Sequence, residues 1–260
     1  MDNLNFQPIG YFHSSLEHPN EAPRQPNPLL IDTAGVIQLH EGFQFHEALR
    51  DLDGFSHIWI VFHFHKNTQW HPMVLPPRGS HIKRGVFSTR SPYRPNPIGM
   101  SVLELRSIEG LRLTVGPSDL LNATPILDIK PYIPHVDAHP EARRGWLENS
   151  MNEKYTFSWS ELALRQLKFL EEQGLTQLRG FVVNQMEYEP LDSKKKRLYF
   201  LDDQTLLAYR TWRVRIQVDE TAKTVQGILI SSGYPPEDLL NSVDTYTDKA
   251  LHRAFIAKSF

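Results

Sequence analysis

Residues 57–65 read HIWIVFHFH, and this stretch decides the fold class of the chain. It is dominated by β-branched and aromatic residues, which are typical of a β-strand. Outward from it lie further short segments of strand character, bounded by proline, glycine or serine. We predict these strands at residues 6–13, 35–40, 85–89, 100–108, 111–115 and 125–133. Many short strands with proline-rich connections and little helix favour a mainly β fold, either a barrel or a sandwich.

The sequence changes character after residue 134. Residues 135–154 are polar and contain Pro140 and Gly145, so we interpret them as a linker. Ser158, with Glu161 three residues later, predicts a capping box at the start of a helix that Gly174 ends. A second helix at 176–188, a strand pair at 206–218 and 224–231, and a helical tail at 235–260 complete a small α/β unit. We therefore predict two domains, residues 1–140 and 155–260.

The composition excludes several classes of protein. Of the 260 residues, 40% are hydrophobic and 22% are charged, which is ordinary globular usage. No apolar run is long enough for a transmembrane helix and no signal-peptide pattern is present, so a cytoplasmic protein is the simplest expectation. The absence of cysteine excludes disulfides, cysteine-ligated zinc, iron–sulfur clusters and thiol nucleophiles. No glycine-rich loop follows a strand and opens a helix, which excludes a Rossmann fingerprint and a P-loop.

The net charge of −2 conceals a segregation of charge along the chain. Residues 54–103 contain six Lys or Arg residues and no Asp or Glu, whereas residues 1–53 contain two Arg and eight acidic residues. A basic stretch of this length indicates an anionic partner, and nucleic acid or a carboxylate or phosphate ligand are the natural candidates.

The densest segment of this stretch is GVFSTRSPYRPNPIGMS, at residues 85–101. Pro92, Pro95 and Pro97 restrict the backbone, so we expect Arg90 and Arg94 on a stiff loop between two strands. Rigidly held guanidinium groups suit the recognition of carboxylate or phosphate, because each group donates paired hydrogen bonds. The alternative interpretation is a barrel corner that carries two surface arginines.

Two further pairs of residues have chemical potential. Asp128 and Lys130 lie on one face of a predicted strand. Either they pair with each other, or Asp128 organises a site that Lys130 helps to neutralise. His63 and His65 are expected to share a strand face, as the metal ligands of some β-barrels do. No glutamate follows before Glu104, so we predict that these histidines form hydrogen bonds or stack, and we predict no metal.

Four segments together resemble one family. They are PRQ at 23–25, SHIWIVFHFHKN at 56–67, the segment at 85–101, and TPILDIKPYIP at 124–134. In order and spacing they resemble the signature of the TsaA-like (TrmO) family of tRNA methyltransferases. The likeness covers about residues 4–135, and the part from Tyr155 through TWRVRIQV is similar to the family's small extra domain.

The resemblance implies an S-adenosylmethionine-dependent enzyme built on a β-barrel. It further implies methylation of N6 of N6-threonylcarbamoyladenosine, beside the anticodon of a threonine tRNA, by a homodimer. By position in the signature, the residues that contact the cofactor would be Pro23, Arg24, Gln25, His65, Lys66, Arg90, Met100, Leu120, Leu121, Asn122 and Ala123. The family usually reads Asp-Gly where this chain reads Asn122-Ala123, which predicts a tuned site and not an inactive one.

Roles for the charged residues follow from the implied chemistry. Arg90 is expected to hold a carboxylate, either of the cofactor or of the threonyl group. Asp128 is expected to accept the proton that leaves N6. The residues expected to meet tRNA phosphates are Arg78, Lys83, Arg84 and Arg94.

Two alternatives from other classes of protein stay open. A non-catalytic RNA-binding barrel would retain RNA without affinity for the cofactor. A metal-dependent barrel enzyme built on His63 and His65 would lose activity when its metal is removed.

Overall fold

The structure is a computed structural model that describes residues 5–19, 34–77, 80–148 and 153–260. It contains two compact units, residues 1–150 and 151–260. The narrower domain limits at residues 140 and 155 stay predictions. Within the described residues, no helix is both long and apolar enough to cross a membrane.

The first unit is a closed, six-stranded antiparallel β-barrel, which confirms the mainly β prediction. The described residues of the whole unit form eight strands, six of which make up the barrel. The eight are β1 (Gly10–His13), β2 (Ala34–Leu39), β3 (His57–His63), β4 (Met73–Val74), β5 (Arg84–Gly85), β6 (Ile98–Glu109), β7 (Arg112–Pro117) and β8 (Thr124–Pro131). The barrel runs in the order β1-β2-β7-β6-β3-β8 and closes where β8 pairs with β1, while β4 and β5 form a separate ladder. Two short helices, α1 (Phe45–Ala48) and α2 (Pro134–Asp137), lie in its connections.

Alternation along the strands fills the barrel. In β3, Ile58, Ile60 and Phe62 are buried, while Trp59 and Val61 between them point to the outer face. The buried cluster also takes side chains from the five other barrel strands, including Phe12, Ile37, Leu103, Leu113 and Ile126. The predicted strands at 100–108 and 111–115 form a hairpin between β6 and β7 that turns at Glu109-Gly110, with Gly110 at φ +62.

The second unit packs helices on a five-stranded sheet. Its elements are β9 (Thr156–Trp159), α3 (Glu161–Glu172), α4 (Gln177–Met186), β10 (Leu198–Leu201), β11 (Gln204–Tyr209), β12 (Trp212–Asp219), β13 (Thr224–Ser232), α5 (Pro236–Leu240) and α6 (Lys249–Ala257). The strand order is β10-β11-β12-β13-β9, and β9 pairs in parallel with β13. Side chains of α3, α4 and α6 cover the sheet face that carries Trp212 and Val214.

Several predicted boundaries are wrong. Ser158 lies in β9, and Ser160 caps α3 instead, because its Oγ accepts a hydrogen bond from the Ala163 N–H at 3.1 Å. The predicted strand at 206–218 is two strands that turn at Arg210, where φ is +49. Of the predicted strand at 85–89, only Gly85 lies in a strand, at the end of β5, and Val86–Ser88 form a 3₁₀ turn. The helical tail is interrupted between α5 and α6.

Candidate functional site

The barrel topology brings three connecting segments to one end. β1, β3 and β7 finish at this end, and β2, β6 and β8 begin there, as the pairing of His63 with Ile98 shows. By sequence the segments are residues 14–33, 64–97 and 118–123, of which the structure describes residues 14–19, 64–77, 80–97 and 118–123. Together with Met100 near the start of β6, they contain all the residues that the resemblance implies for the cofactor. Of these, Pro23, Arg24 and Gln25 lie outside the described residues, as does the predicted RNA contact Arg78.

The 64–97 segment holds its own shape. The side-chain amide of Asn67 donates to the Pro92 carbonyl at 2.7 Å, and the Phe64 N–H donates to the Pro97 carbonyl at 2.8 Å. Between these anchors β4 pairs with β5, and the Thr89 hydroxyl donates to the Val86 carbonyl at 2.8 Å. These bonds, added to the three prolines, agree with the prediction of a stiff loop.

The two arginines of this loop have different surroundings. Arg94 donates to the backbone carbonyls of Thr89 at 2.9 Å and Val86 at 3.2 Å, so it ties the loop together. Arg90 is exposed and makes no hydrogen bond with any described residue. Its guanidinium group is therefore the one presented for a ligand.

The other described cations of the loop are also of two kinds, those held by neighbouring side chains and those exposed without a hydrogen bond to any described residue. Arg84 donates from Nε to Ser80 Oγ at 3.3 Å, and its guanidinium lies 5.3 Å from the centre of the Trp146 ring. Lys66 and Lys83 are exposed, and their side chains make no hydrogen bond with the described part of the chain. The structure describes five of the six basic residues of the acid-free stretch, and all five lie in this loop, so their positive charge is gathered at one end of the barrel.

His65 lies just beyond the end of β3, which corrects the prediction that it shares a strand face with His63. The chain turns after His63, whose carbonyl accepts a hydrogen bond from the His65 N–H at 2.8 Å. The His65 Nε2 atom is buried and has no hydrogen-bond partner among the described residues. Burial and the nearby Lys66 charge lower the pKa of His65, so the ring is neutral at pH 7. A buried ring nitrogen without a partner is poised to bond a ligand.

The 118–123 segment is tied to the segment that follows β1. The Asn122 amide donates to Glu17 Oε1 at 3.0 Å, and its oxygen accepts from the Ser14 N–H at 3.3 Å. An aspartate in place of Asn122 would bring a second negative charge to Glu17, so the amide fits this chain. Leu120 is buried in the barrel core, and Leu121 and Asn122 are half-buried.

Ala123 has a φ of +59, in the left-handed region that favours glycine. We expect Ala123→Gly to stabilise the protein by about 0.5–1 kcal/mol, because relief of strain outweighs the added entropy of the unfolded chain. Thermal unfolding measures this as a rise in Tm. Ala138→Gly is the matched control, since Ala138 has a φ of −92 and should lose stability. An equal or lower Tm for Ala123→Gly would contradict the strain.

Asp119 is a residue that the sequence interpretation missed. Its Oδ1 accepts a hydrogen bond from the Ser101 hydroxyl of the neighbouring strand β6 at 3.0 Å. Burial raises the pKa of Asp119, while the Ser101 hydrogen bond, the backbone N–H of Asp119 and the positive charge of Arg90 oppose that rise. The one available signal was its place directly before the predicted segment 120–123.

Met100 and Asp128 lie on the outer face of the barrel beside this end. Both pair with Val61 of β3, Met100 from β6 and Asp128 from β8. Asp128 forms an ion pair with Lys130 at 2.8 Å, which is compatible with both interpretations of this pair. Met100 exposes 58% of its surface, so it offers an open apolar contact on the barrel face that carries the carboxylate.

Comparisons with known proteins agree with this geometry. The family described as "tRNA-methyltransferase O N-terminal domain" matches residues 11–138. The tRNA (adenine(37)-N6)-methyltransferase of Escherichia coli is 33% identical over 219 residues, which is 82% of this chain and 90% of that enzyme. The chain belongs to the tRNA-methyltransferase O family.

Two further proteins of known description are similar to this member of the tRNA-methyltransferase O family. A probable S-adenosyl-L-methionine-binding protein of Pyrococcus abyssi is 39% identical over 147 residues, covering 56% of this chain and 78% of that protein. The crystal structure of TrmO from Pseudomonas aeruginosa superposes with a TM-score of 0.63 at 28% identity, covering 89% of this chain and 99% of that one.

The donor set of this tRNA-methyltransferase O barrel fits S-adenosylmethionine. That molecule carries a carboxylate, an ammonium group, a sulfonium and an adenine, and the barrel end offers a free guanidinium, a half-buried carboxylate and a neutral imidazole with an open nitrogen. A metal at His63 and His65 has less support. Within the described residues, no cluster of three possible ligands includes either histidine.

Proposed function

We propose that this chain is an S-adenosylmethionine-dependent methyltransferase that modifies N6 of adenosine 37 in tRNA. The E. coli relative carries this activity in its name. The observation that carries the proposal is the convergence of His65, Arg90 and residues 118–123 at one end of the barrel. We further propose, as the resemblance implies, that the adenosine carries a threonylcarbamoyl group and that the substrate is a threonine tRNA.

S-adenosylmethionine supplies a methyl group on a positively charged sulfur when it is bound. The chain's part in the reaction is mainly alignment, which contributes roughly 7–11 kcal/mol in well-oriented reactions. Arg90 fixes a carboxylate through paired hydrogen bonds. His65, being neutral, donates or accepts a hydrogen bond without repelling a cationic ligand.

Asp128 is proposed to accept the proton that leaves N6. It is half-exposed on the outer face, and Met100 lies on the other side of Val61, about two strand spacings or 10 Å away. Lys130 forms an ion pair with this carboxylate at 2.8 Å. The threonylcarbamoyl group withdraws electrons from N6 and makes its proton easier to remove, so a carboxylate is a sufficient base.

We expect Asp128→Asn to lower kcat by about 100-fold, which is typical for loss of a general base. Affinity for S-adenosylhomocysteine should stay within about threefold, since Asp128 is not among the residues proposed to hold the cofactor. Steady-state kinetics and calorimetric titration measure the two quantities. Lys130→Met tests the ion pair separately, and an Asp128→Asn variant with normal kcat would remove Asp128 from the mechanism.

Lys83, which is exposed, and Arg84, which is half-buried, are proposed to bind tRNA phosphates, as are Arg78 and Arg94. Each phosphate contact gives a slope of about −0.7 to −0.9 in log K against log salt. We expect the double variant Lys83→Ala, Arg84→Ala to flatten the slope by up to roughly two such units, with little change in cofactor affinity. Filter binding across a salt series measures the slope. A full slope combined with lost cofactor binding would assign these residues to the cofactor.

We also propose that the protein is a cytoplasmic homodimer. Several large apolar side chains of the 64–100 region are exposed, among them Ile82 and Phe87, with 66% and 75% of their surface accessible. Apolar residues grouped in this way are typical of a surface that a second copy covers. Sedimentation velocity tests the dimer, and a monomer at micromolar concentration would contradict it.

Methyl transfer from radiolabelled S-adenosylmethionine to unmethylated tRNA tests the function as a whole. We expect label in the nucleoside N6-methyl-N6-threonylcarbamoyladenosine, found by chromatography and mass spectrometry. RNA binding without cofactor binding would instead support the non-catalytic module. Loss of activity on chelation, restored by metal, would support the histidine-ligated enzyme.

A further inference from the structure

Opposite charges are held close to each other at the functional end of the barrel. Arg90 is free of hydrogen bonds to the described residues and stabilises the ionised form of Asp119. Asp119 is held by the Ser101 hydroxyl at one of its two oxygens. Its own backbone N–H also favours the ionised form, and no described side chain donates to the other oxygen. A half-buried carboxylate with few donors gains most when a charged group of a ligand reaches it.

A ligand would complete this arrangement if it brought a carboxylate and an ammonium group together. The amino-acid part of S-adenosylmethionine carries both, one bond from the same carbon atom. The guanidinium of Arg90 matches the ligand carboxylate in charge and in its paired hydrogen-bond donors. The ligand ammonium is then left to pair with the carboxylate of Asp119. We infer that Asp119 binds the α-ammonium group of the cofactor, with Ser101 fixing the orientation of its carboxylate. This inference rests on the proposed use of S-adenosylmethionine.

The competing role for a buried carboxylate here is to accept hydrogen bonds from the ribose hydroxyls. The charge of Arg90 beside Asp119 favours the amino-acid end, because it places the zwitterion across two opposite charges. In the first role Asp119 contributes to affinity through the α-ammonium group, and in the second through the ribose hydroxyls. A ligand analogue that lacks the α-ammonium group therefore separates the two roles.

The experiment titrates the full-length protein with S-adenosylhomocysteine and with its deamino analogue, in which hydrogen replaces the α-amino group. For the native protein we expect the deamino analogue to bind roughly 30-fold or more weakly. Asp119→Asn should lose about the same factor for S-adenosylhomocysteine and bind the two ligands within about threefold of each other. Asp53→Asn, the same change at an exposed position near the other end of the barrel, should leave both affinities unchanged.

A second measurement separates binding from folding. Burial raises the pKa of Asp119, which means that the ionised carboxylate destabilises the folded protein at pH values above the usual carboxyl pKa. Asp119→Asn removes that charge, so the variant without ligand should have an equal or higher Tm than the native protein at pH 8. If Asp119→Asn weakens both ligands equally, or keeps the native preference, the inference is wrong while the proposed function stands. If the native protein does not bind S-adenosylhomocysteine, the proposed function itself fails.

Discussion

Arg90→Ala is expected to lower kcat/KM for tRNA methylation by about 100-fold or more. The Tm should change by less than about 2 °C. The loss follows from removing the one arginine of the 85–101 segment whose guanidinium is not used by the fold, since Arg94 donates to two backbone carbonyls. Removal of an exposed side chain usually changes stability by less than about 0.5 kcal/mol. Affinity for S-adenosylhomocysteine should fall with the activity, because the carboxylate is bound in ground and transition states alike.

Two variants serve as comparisons for Arg90→Ala. Arg90→Lys keeps the charge but loses the paired donors, so it should recover part of the affinity. Arg50→Ala removes an exposed arginine that pairs with Glu47 before β3, near the other end of the barrel, and should change neither activity nor affinity. An Arg90→Ala variant that keeps full activity and merely melts earlier would make Arg90 a structural residue.

Gly35→Ala is expected to destabilise the protein by about 2–3 kcal/mol. A Cβ at residue 35 would lie 1.9 Å from Cζ of Phe12, whose ring is fully buried in the barrel. β1 and β2 pair through Phe12 and Ile37, so the ring cannot move without disturbing the closure of the barrel. Urea denaturation measures the loss as a lower midpoint.

The clash predicts a specific rescue. Phe12→Leu makes room for the new methyl group, so the double variant should lose at least about 1 kcal/mol less than the sum of the two single changes. Gly54→Ala is the control, because a Cβ there meets no atom within 4 Å. Equal stabilities for Gly35→Ala and Gly54→Ala would show that the packing of the barrel is described wrongly.

The strands of the barrel could be predicted because one side of each must be buried. Alternation of Ile58, Ile60 and Phe62 with outward residues is a local signal that survives in the sequence. The order of the strands is decided by pairings between distant segments, such as Phe12 with Thr124, and no local pattern reports these. The same limit explains the error at Ser158, which pairs with Gln226 in the sheet although its sequence spacing suits a helix cap.

Some residues of the candidate site could likewise be predicted from the sequence, and others could not. Arg90 and His65 lie in segments whose likeness to a family is visible in the sequence. Asp119 was missed because its environment is made by Ser101, which lies 18 residues away on a neighbouring strand. A carboxylate becomes notable only when the fold buries it, and burial is a property of the closed barrel.

A crystal structure of the complex with S-adenosylhomocysteine tests the position of the cofactor most directly. We predict the ligand at the end of the barrel where β3 and β7 finish and β6 and β8 begin, with its carboxylate on Arg90 and a polar atom on His65 Nε2. Binding at the opposite end of the barrel, or in the unit formed by residues 151–260, would contradict it.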